Sequence, residues 1–299
     1  MPHCPPSGGC EMTRQLVPSP DGATQVFIII GYPVSQVKAP QLMNTAFAQS
    51  GANATMVPIE VGPAQAPALI EALKSAANVG GFLATIPHKF ELLKHADGAG
   101  PVATAAGCAN ALRREPDGRW SAENFDGIGF VTGLLASGEP IEGKTVFVYG
   151  AGGAGSSIAA GVLKANAACV HVSDLSTTRA QDLCERLDRL WPGKVKHAVA
   201  GEHRDADIVV NATPVGLDEA DPLPFSLDGL NPNALVAEII MKPAETRLLL
   251  EAHRRGFRTL AGMRMLEPQI DLYRRFFRIP DPDVRSDPLH AIAGRGTMP

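Results

Sequence analysis

From Val26 onward, short apolar runs rich in β-branched residues alternate with stretches whose apolar positions recur at helical spacing. In the first half the runs are VFIII, TMVPIEV and GGFLAT; in the second they are TVFVYG, ACVHVSD, DIVVNAT and LVAEII. Their length and content predict buried strands, and the periodic stretches predict helices over 40–49, 67–76, 154–164, 177–190 and 245–255. Strands alternating with helices build βαβ units, so the fold class is α/β with mainly parallel sheets. One segment breaks the rhythm. In CANALRREPDGRWSAEN two short alternating stretches flank Asp117 and Gly118, a hairpin signal expected at the edge of the first sheet. A helix over 125–136 and the turn SGEPIEGK separate the two series, which predicts two lobes divided near residues 126–130.

Composition narrows the function classes. At 299 residues, 45% hydrophobic and 19% charged, the chain has apolar material for two cores. A formal net charge of -4 and a pI of about 6.1 leave no basic footprint for nucleic acid or an anionic membrane. The basic clusters HRRGFR and YRRFFR read as solvated faces of amphipathic helices. Five cysteines (Cys4, Cys10, Cys108, Cys169 and Cys184) with no CxxC pair argue against a disulfide framework and against a metal site. Free thiols suit a reducing cytoplasm. No apolar stretch approaches the roughly 20 residues that span a bilayer. MPHCPPSGGCE lacks the charged start and apolar centre of a signal peptide, so residues 1–22 read as a disordered tail; beyond Arg278, IPDPDVRSDP reads as a second loose tail. The expectation is a cytoplasmic monomer or homodimer with a small-molecule ligand and no nucleic-acid or membrane partner.

VFVYGAGGAGSSIAAGVL carries Gly150, Gly152 and Gly155 in GxGxxG spacing between a strand and a helix. The first glycine permits a tight turn, the second lets the backbone approach a pyrophosphate, and the third packs helix on strand. Free N–H groups at the helix start then meet the phosphates. The next strand ends in Asp174, about 20 residues beyond the last glycine, where a carboxylate accepts hydrogen bonds from the adenosine ribose and repels a 2′-phosphate. Leu175 and Ser176 follow it with no adjacent arginine, so the cofactor reading is NAD in preference to NADP. Arg179, the nearest cation, reads equally well as solvated. NATPVG, which includes Thr213, Pro214 and Val215, breaks at the carboxyl end of another parallel strand and points toward the same crevice.

Hydride transfer from an alcohol to a nicotinamide needs a general base for the hydroxyl proton. Candidates belong at strand ends of the first lobe: ATIPHKF supplies Thr85 and Lys89, and AENFDGIGF supplies Asn124 and Asp126. A lysine beside a carboxylate can share its proton with a substrate oxygen while the aspartate holds the ammonium in place. On spacing alone, each reads as a surface charge.

Taken together, these segments resemble the shikimate/quinate dehydrogenase family over residues 26–277. TIPHKF resembles the family's Thr-Val-Pro-(any)-Lys, CANAL its Gly-Ala-Val-Asn-Thr, and ENFDGIG its Asp-Asn-Thr-Asp-Gly; GAGGAG, NATPVG and GMRMLEPQ match as well. The resemblance implies a substrate domain over 23–126 and a Rossmann NAD(P) domain over 127–260. A C-terminal helix over 261–279 then returns to the first domain, leaving 280–299 as a tail. It implies reversible oxidation of a ring hydroxyl of a shikimate- or quinate-related compound, in aromatic amino acid biosynthesis or quinate metabolism. Lys89 and Asp126 become the acid/base pair, and Thr85, Asn110 and Gln269 hold ring hydroxyls. Cofactor contacts fall on Gly150, Ala151, Gly152, Gly153, Ala154, Asp174, Leu175, Thr213, Pro214, Val215, Ile239 and Gly262. NADP-using members carry Asn-Arg-Thr where this chain has Asp174, Leu175 and Ser176, which again favours NAD.

The departures concern the substrate. In GYPVSQVKAP the two serines that bind the substrate carboxylate in the family are replaced by Val37 and Ala39. A further asparagine is replaced by Leu83 and a tyrosine by Met241. The pocket is therefore expected to be more apolar, unless Ser35, Gln36 or Lys38 takes over the carboxylate. A non-catalytic NAD-sensing or ligand-binding protein that kept the fold is the alternative from another class; the presence of both Lys89 and Asp126 argues against it.

Overall fold

The computed structural model describes residues 19–199 and 201–281. In the first lobe β1 (Gln25–Gly31), β2 (Ala54–Glu60) and β3 (Val79–Ala84) run parallel with β1 in the middle; Ile28 faces Val57 on one side and Phe82 on the other. The crossovers are α1 (Ala39–Ser50) and α2 (Ala66–Lys74), both opening with proline in the first turn, where its missing N–H costs nothing. Then follow α3 (Lys89–Lys94), β4 (Gly98–Ala99), α4 (Pro101–Ala106) and the antiparallel pair β5 (Ala111–Arg114) and β6 (Trp120–Glu123). The strand order is β2-β1-β3-β5-β6-β4. The hairpin is thus not the edge: β4 pairs parallel outside it, and Asp97 grips Trp120 through both backbone and carboxylate. Two residues are too short for any apolar period, which is why sequence reading put the edge one strand too early.

Side-chain alternation along β1 sorts the core. Ile28 and Ile30 join Ile70, Leu92 and Trp120 on one face, while Phe27 and Ile29 join Met43, Phe47, Leu83, Tyr273 and Phe277 on the other. The second lobe is fully parallel: β7 (Thr145–Tyr149), β8 (Cys169–Ser173), β9 (Val195–His197), β10 (Ile208–Asn211), β11 (Leu235–Glu238) and β12 (Arg258–Leu260), ordered β12-β11-β10-β7-β8-β9. Strand order reverses between β7 and β10, the position where such sheets open a ligand crevice at their carboxyl ends. The helix α5 (Asp126–Ala136) joins the lobes; α6 (Gly153–Lys164), α7 (Thr177–Asp188) and α8 (Arg247–Arg254) flank the second sheet. The last helix, α9 (Met263–Phe276), packs on α5 and α1 and so covers the first sheet. The Phe277 ring lies 4.7 Å from that of Phe27.

Two tail expectations need correction where the chain is described. Asp21 is anchored, its Oδ1 accepting from Ala23 N at 2.9 Å and Asn53 Nδ2 at 2.8 Å, because it caps the turn into β1. At the other end Ile279 N donates to Arg274 O, and Arg274 pairs with Asp281 at 3.1 Å. Residues 1–18 and 282–299 lie outside the described chain.

Three glycines on α5 set the joint between the lobes. A Cβ on Gly127 would lie 2.0 Å from Ser157 O of α6; on Gly129, 2.5 Å from Met265 O; on Gly133, 2.2 Å from Arg264 O of α9. Only glycine allows backbones this close. Across the same joint Arg186 of α7 donates to Ala105 O at 3.0 Å and Ala106 O at 2.8 Å, satisfying the open carbonyls at the end of α4.

Candidate active site

Lys89 is the first residue of α3, and Asp126 the first of α5; β3 and β6 deliver both helix starts to one end of the first sheet. Buried His88 anchors α3 through a 2.8 Å contact between Nε2 and Val61 O. Lys89 Nζ donates to Asp126 Oδ2 at 2.5 Å, and the side chains are 14% and 4% exposed, so this pair is no surface charge. The start of α5 favours a carboxylate there. Asp126 Oδ1 accepts from Asn110 Nδ2 at 3.0 Å, and Asp126 N donates to Asn124 Oδ1 at 3.1 Å. Asn124 in turn donates to Cys108 O at 3.2 Å and Sγ at 3.3 Å. Burial pushes the Cys108 thiol up to about 12, so it stays protonated and donates to Gly153 O.

Asn110 does more than its predicted role as a substrate ligand. Its second Nδ2 hydrogen goes to the Tyr273 hydroxyl at 2.9 Å, and its Oδ1 accepts from Phe125 N at 2.9 Å. Tyr273 donates to Gln269 Oε1 at 2.5 Å. Gln269 is 1% exposed, and its Nε2 has no hydrogen-bond partner among the described residues. Thr85 follows β3 with its methyl against Gly31, where an added Cβ would lie 2.5 Å away. Val37 and Ala39 lean into the apolar cluster of Phe27, Leu83, Phe125 and Tyr273. Tyr273 was missed by sequence reading; its spacing of four from Gln269 on one helix was the available signal. An open groove of about 640 Å³ beside β4, β6 and α9, lined by Gly98, Glu123, Phe125, Leu272 and Phe276, shares no residue with the predicted set.

The second lobe brings its predicted residues to the carboxyl ends of β7, β8, β10 and β11. Gly150 has φ +100°, and a Cβ on Gly155 would lie 1.8 Å from Gly150 O. Nothing stands within 4 Å of a Cβ on Gly152, so the space above the start of α6 is open to a ligand phosphate. Asp174 Oδ2 accepts from Ala151 N at 2.7 Å and Oδ1 from Ser176 N at 2.8 Å, while Leu175 is fully exposed. Arg179 is not merely solvated: its guanidinium lies 3.6 Å from Asp174, one turn into the helix that Ser176 caps. Thr213 and Val215 wrap around Asn211, and the Thr213 methyl faces Gly150. A Cβ on Gly262 would lie 2.4 Å from Ile240 O and 2.7 Å from Ile239 O. The residues present fit a dinucleotide. Lys89 packs directly on this loop, 2.7 Å from where a Gly153 Cβ would stand, so the acid/base candidates of one lobe meet the glycine turn of the other.

The chain is similar to known proteins over most of its length. Residues 29–112 match the shikimate dehydrogenase substrate binding domain model. A shikimate dehydrogenase (NADP(+)) of Rubrobacter xylanophilus is 34% identical over 94% of this chain and 99% of its own length. The chain belongs to the shikimate dehydrogenase family. Among the family's solved structures, a shikimate dehydrogenase in complex with NADP+ superposes with a TM-score of 0.80 at 28% identity, covering 89% of this chain and 94% of its own. Quinate dehydrogenase from Corynebacterium glutamicum in complex with NAD gives 0.76 at 26%, covering 87% and 96%. Like the family, this chain is a dehydrogenase built from two α/β lobes, one of them of Rossmann type. No helix among the described residues is long and apolar enough to cross a membrane.

Proposed function

We propose that this enzyme catalyses reversible hydride transfer between a pyridine nucleotide and a ring hydroxyl of a shikimate- or quinate-related compound, with Lys89 and Asp126 as its acid/base pair. The supporting observation is the buried Lys89–Asp126 pair seated against Gly153 of the glycine turn. Residues 23–126 form the substrate domain on this reading, residues 127–260 the dinucleotide domain, and residues 261–279 a C-terminal helix that packs back on the substrate domain. When bound, the nicotinamide supplies the hydride acceptor or donor. Lys89 gives its proton to the substrate oxygen in reduction and takes it back in oxidation, while Asp126 holds the ammonium in place. Thr85, Asn110 and Gln269 hold substrate hydroxyls. Gly150, Ala151, Gly152, Gly153 and Ala154 carry the pyrophosphate; Thr213, Pro214, Val215, Ile239 and Gly262 bound the nicotinamide side.

NAD is the preferred cofactor on chemical grounds. The Asp174 carboxylate suits ribose hydroxyls and repels a 2′-phosphate, Leu175 brings no charge, and Arg179 is already drawn to Asp174. The names of the curated relatives point the other way, to NADP(+), while a quinate dehydrogenase among the solved structures is in complex with NAD. Val37 and Ala39 at the carboxylate positions, with Leu83 and Met241 at two further polar positions of the family, favour a substrate less polar than shikimate or differently substituted. A lost hydrogen bond to a charged group weakens binding by about 1.5–3 kcal/mol.

Purified protein assayed by nicotinamide absorbance against shikimate, quinate and related cyclic alcohols is expected to turn over at least one of them. Its kcat/KM should favour NAD over NADP by about tenfold or more, a difference of about 1.4 kcal/mol. Lys89→Ala should lower kcat about 10²–10⁴-fold. No turnover across the panel, or an undiminished Lys89→Ala, overturns the proposal; a preference for NADP overturns the cofactor assignment alone.

A further inference from the structure

We infer that Tyr273 is a positioning residue that fixes substrate specificity, by holding the Gln269 amide so that it presents only a donor to an acceptor oxygen of the ligand. This rests on the function proposed above and adds to it a residue and a polarity. A backbone N–H can only donate. Phe125 N–H points at the Asn110 side chain, so the atom facing it is the oxygen, at 2.9 Å. The Asn110 nitrogen then faces Asp126 and Tyr273, and its two hydrogens are both committed, at 3.0 Å and 2.9 Å. The Tyr273 hydroxyl accepts one of them, so its own proton is left for Gln269, whose nearer amide atom is consequently Oε1, at 2.5 Å.

Burial and the nearby Asp126 charge hold the Tyr273 phenol well above its usual range, so it does not lose that proton. Each polarity follows from the one before, and the direction of Gln269 does not depend on how any single amide was assigned. The chain ends on Gln269 Nε2, a buried amide with nothing to donate to among the described residues. A buried donor left unsatisfied is costly, and a ligand oxygen relieves that cost. The Tyr273 ring is held edge-on by Phe125 at 5.5 Å, in the apolar cluster that also takes Val37, Ala39 and Leu83. The hydroxyl is therefore the one polar atom Tyr273 brings to an otherwise apolar wall.

Tyr273→Phe keeps the ring and removes the hydroxyl. With the substrate that the parent turns over, KM is expected to rise about tenfold while kcat changes less than about threefold, as for loss of one hydrogen bond made equally in ground and transition states. In a Gln269→Ala background the same change should leave KM unmoved, because the group it orients is gone. An unchanged KM in the single variant, or an equal rise in both backgrounds, overturns the inference. If no compound in the panel is turned over, the Gln269 side-chain amide still decides by NMR. Its two N–H signals should be protected from exchange and fixed in one orientation in the parent, and lose that protection in Tyr273→Phe. Equal protection in both overturns the inference.

Discussion

Glu238 ends β11 with its carboxylate buried, accepting from Ile239 N at 2.8 Å, Ile240 N at 3.0 Å, Asn211 Nδ2 at 3.0 Å and Thr246 Oγ1 at 3.0 Å. One side chain thus ties the loop after β10 to the loop after β11, the two proposed above to border the nicotinamide. Burial raises its pKa above the ordinary 4.5, and the hydrogen bonds only partly oppose that. The folded state therefore holds this proton more tightly than the unfolded one. The stability it contributes is complete below about pH 4.5 and is lost as pH rises through the folded value. Glu238→Gln removes this titration. The stability advantage of the parent over the variant, measured by urea unfolding across pH 4 to 8, is expected to shrink as pH rises; a constant difference would refute the assignment. Residues of this kind explain what the sequence hid. Gly150 and Asp174 stand out through a local pattern, a glycine turn and the strand that follows it, whereas Lys89 and Asp126 taken singly read as surface charges and stand out only when the motifs are taken together. Tyr273 and Asn110 stand 163 residues apart, and nothing in either neighbourhood announces the other.

At the scale of elements, α5 opposes two physical tendencies. In an exposed helix, replacing glycine by alanine gains about 1 kcal/mol from propensity. Here the added methyl would meet a backbone carbonyl, 2.0 Å away at Gly127 and 2.2 Å at Gly133, and carbonyls cannot rotate aside. Overpacking of this kind costs about 1–3 kcal/mol, so the clash wins. Gly127→Ala and Gly133→Ala should each lower the urea midpoint, whereas a gain in either would show that the helices can part. The longer helices and the central strands were readable from their periods. The strands β4, β9 and β12, of two or three residues each, were not, since they form by pairing with a neighbour and carry no pattern of their own.

For the whole molecule, the chain visits the first lobe twice. It leaves through α5, builds the second sheet, and comes back as α9 to bury Tyr273 and Phe277 against Phe27 and Phe47. With α5 shared, and with Arg186 joined to α4, neither lobe has a complete surface of its own. Calorimetry is expected to show one unfolding transition, with calorimetric and van't Hoff enthalpies equal; two resolved transitions would mean independent lobes. The division into two α/β lobes was legible from the interrupted rhythm of strands and helices. The closeness of the joint was not, because it depends on which glycines face which carbonyls.

The return of α9 also orders events in time. A ribosome delivers the first sheet before the second, yet Gly81 keeps a place for the Phe277 ring, 2.5 Å from its missing Cβ, that stays empty until the second lobe has been made. The lobe made first is the lobe finished last, and one face of its apolar core stands open throughout the making of the second. During that interval a nascent chain of this protein is a natural client for a chaperone that shelters exposed apolar surface.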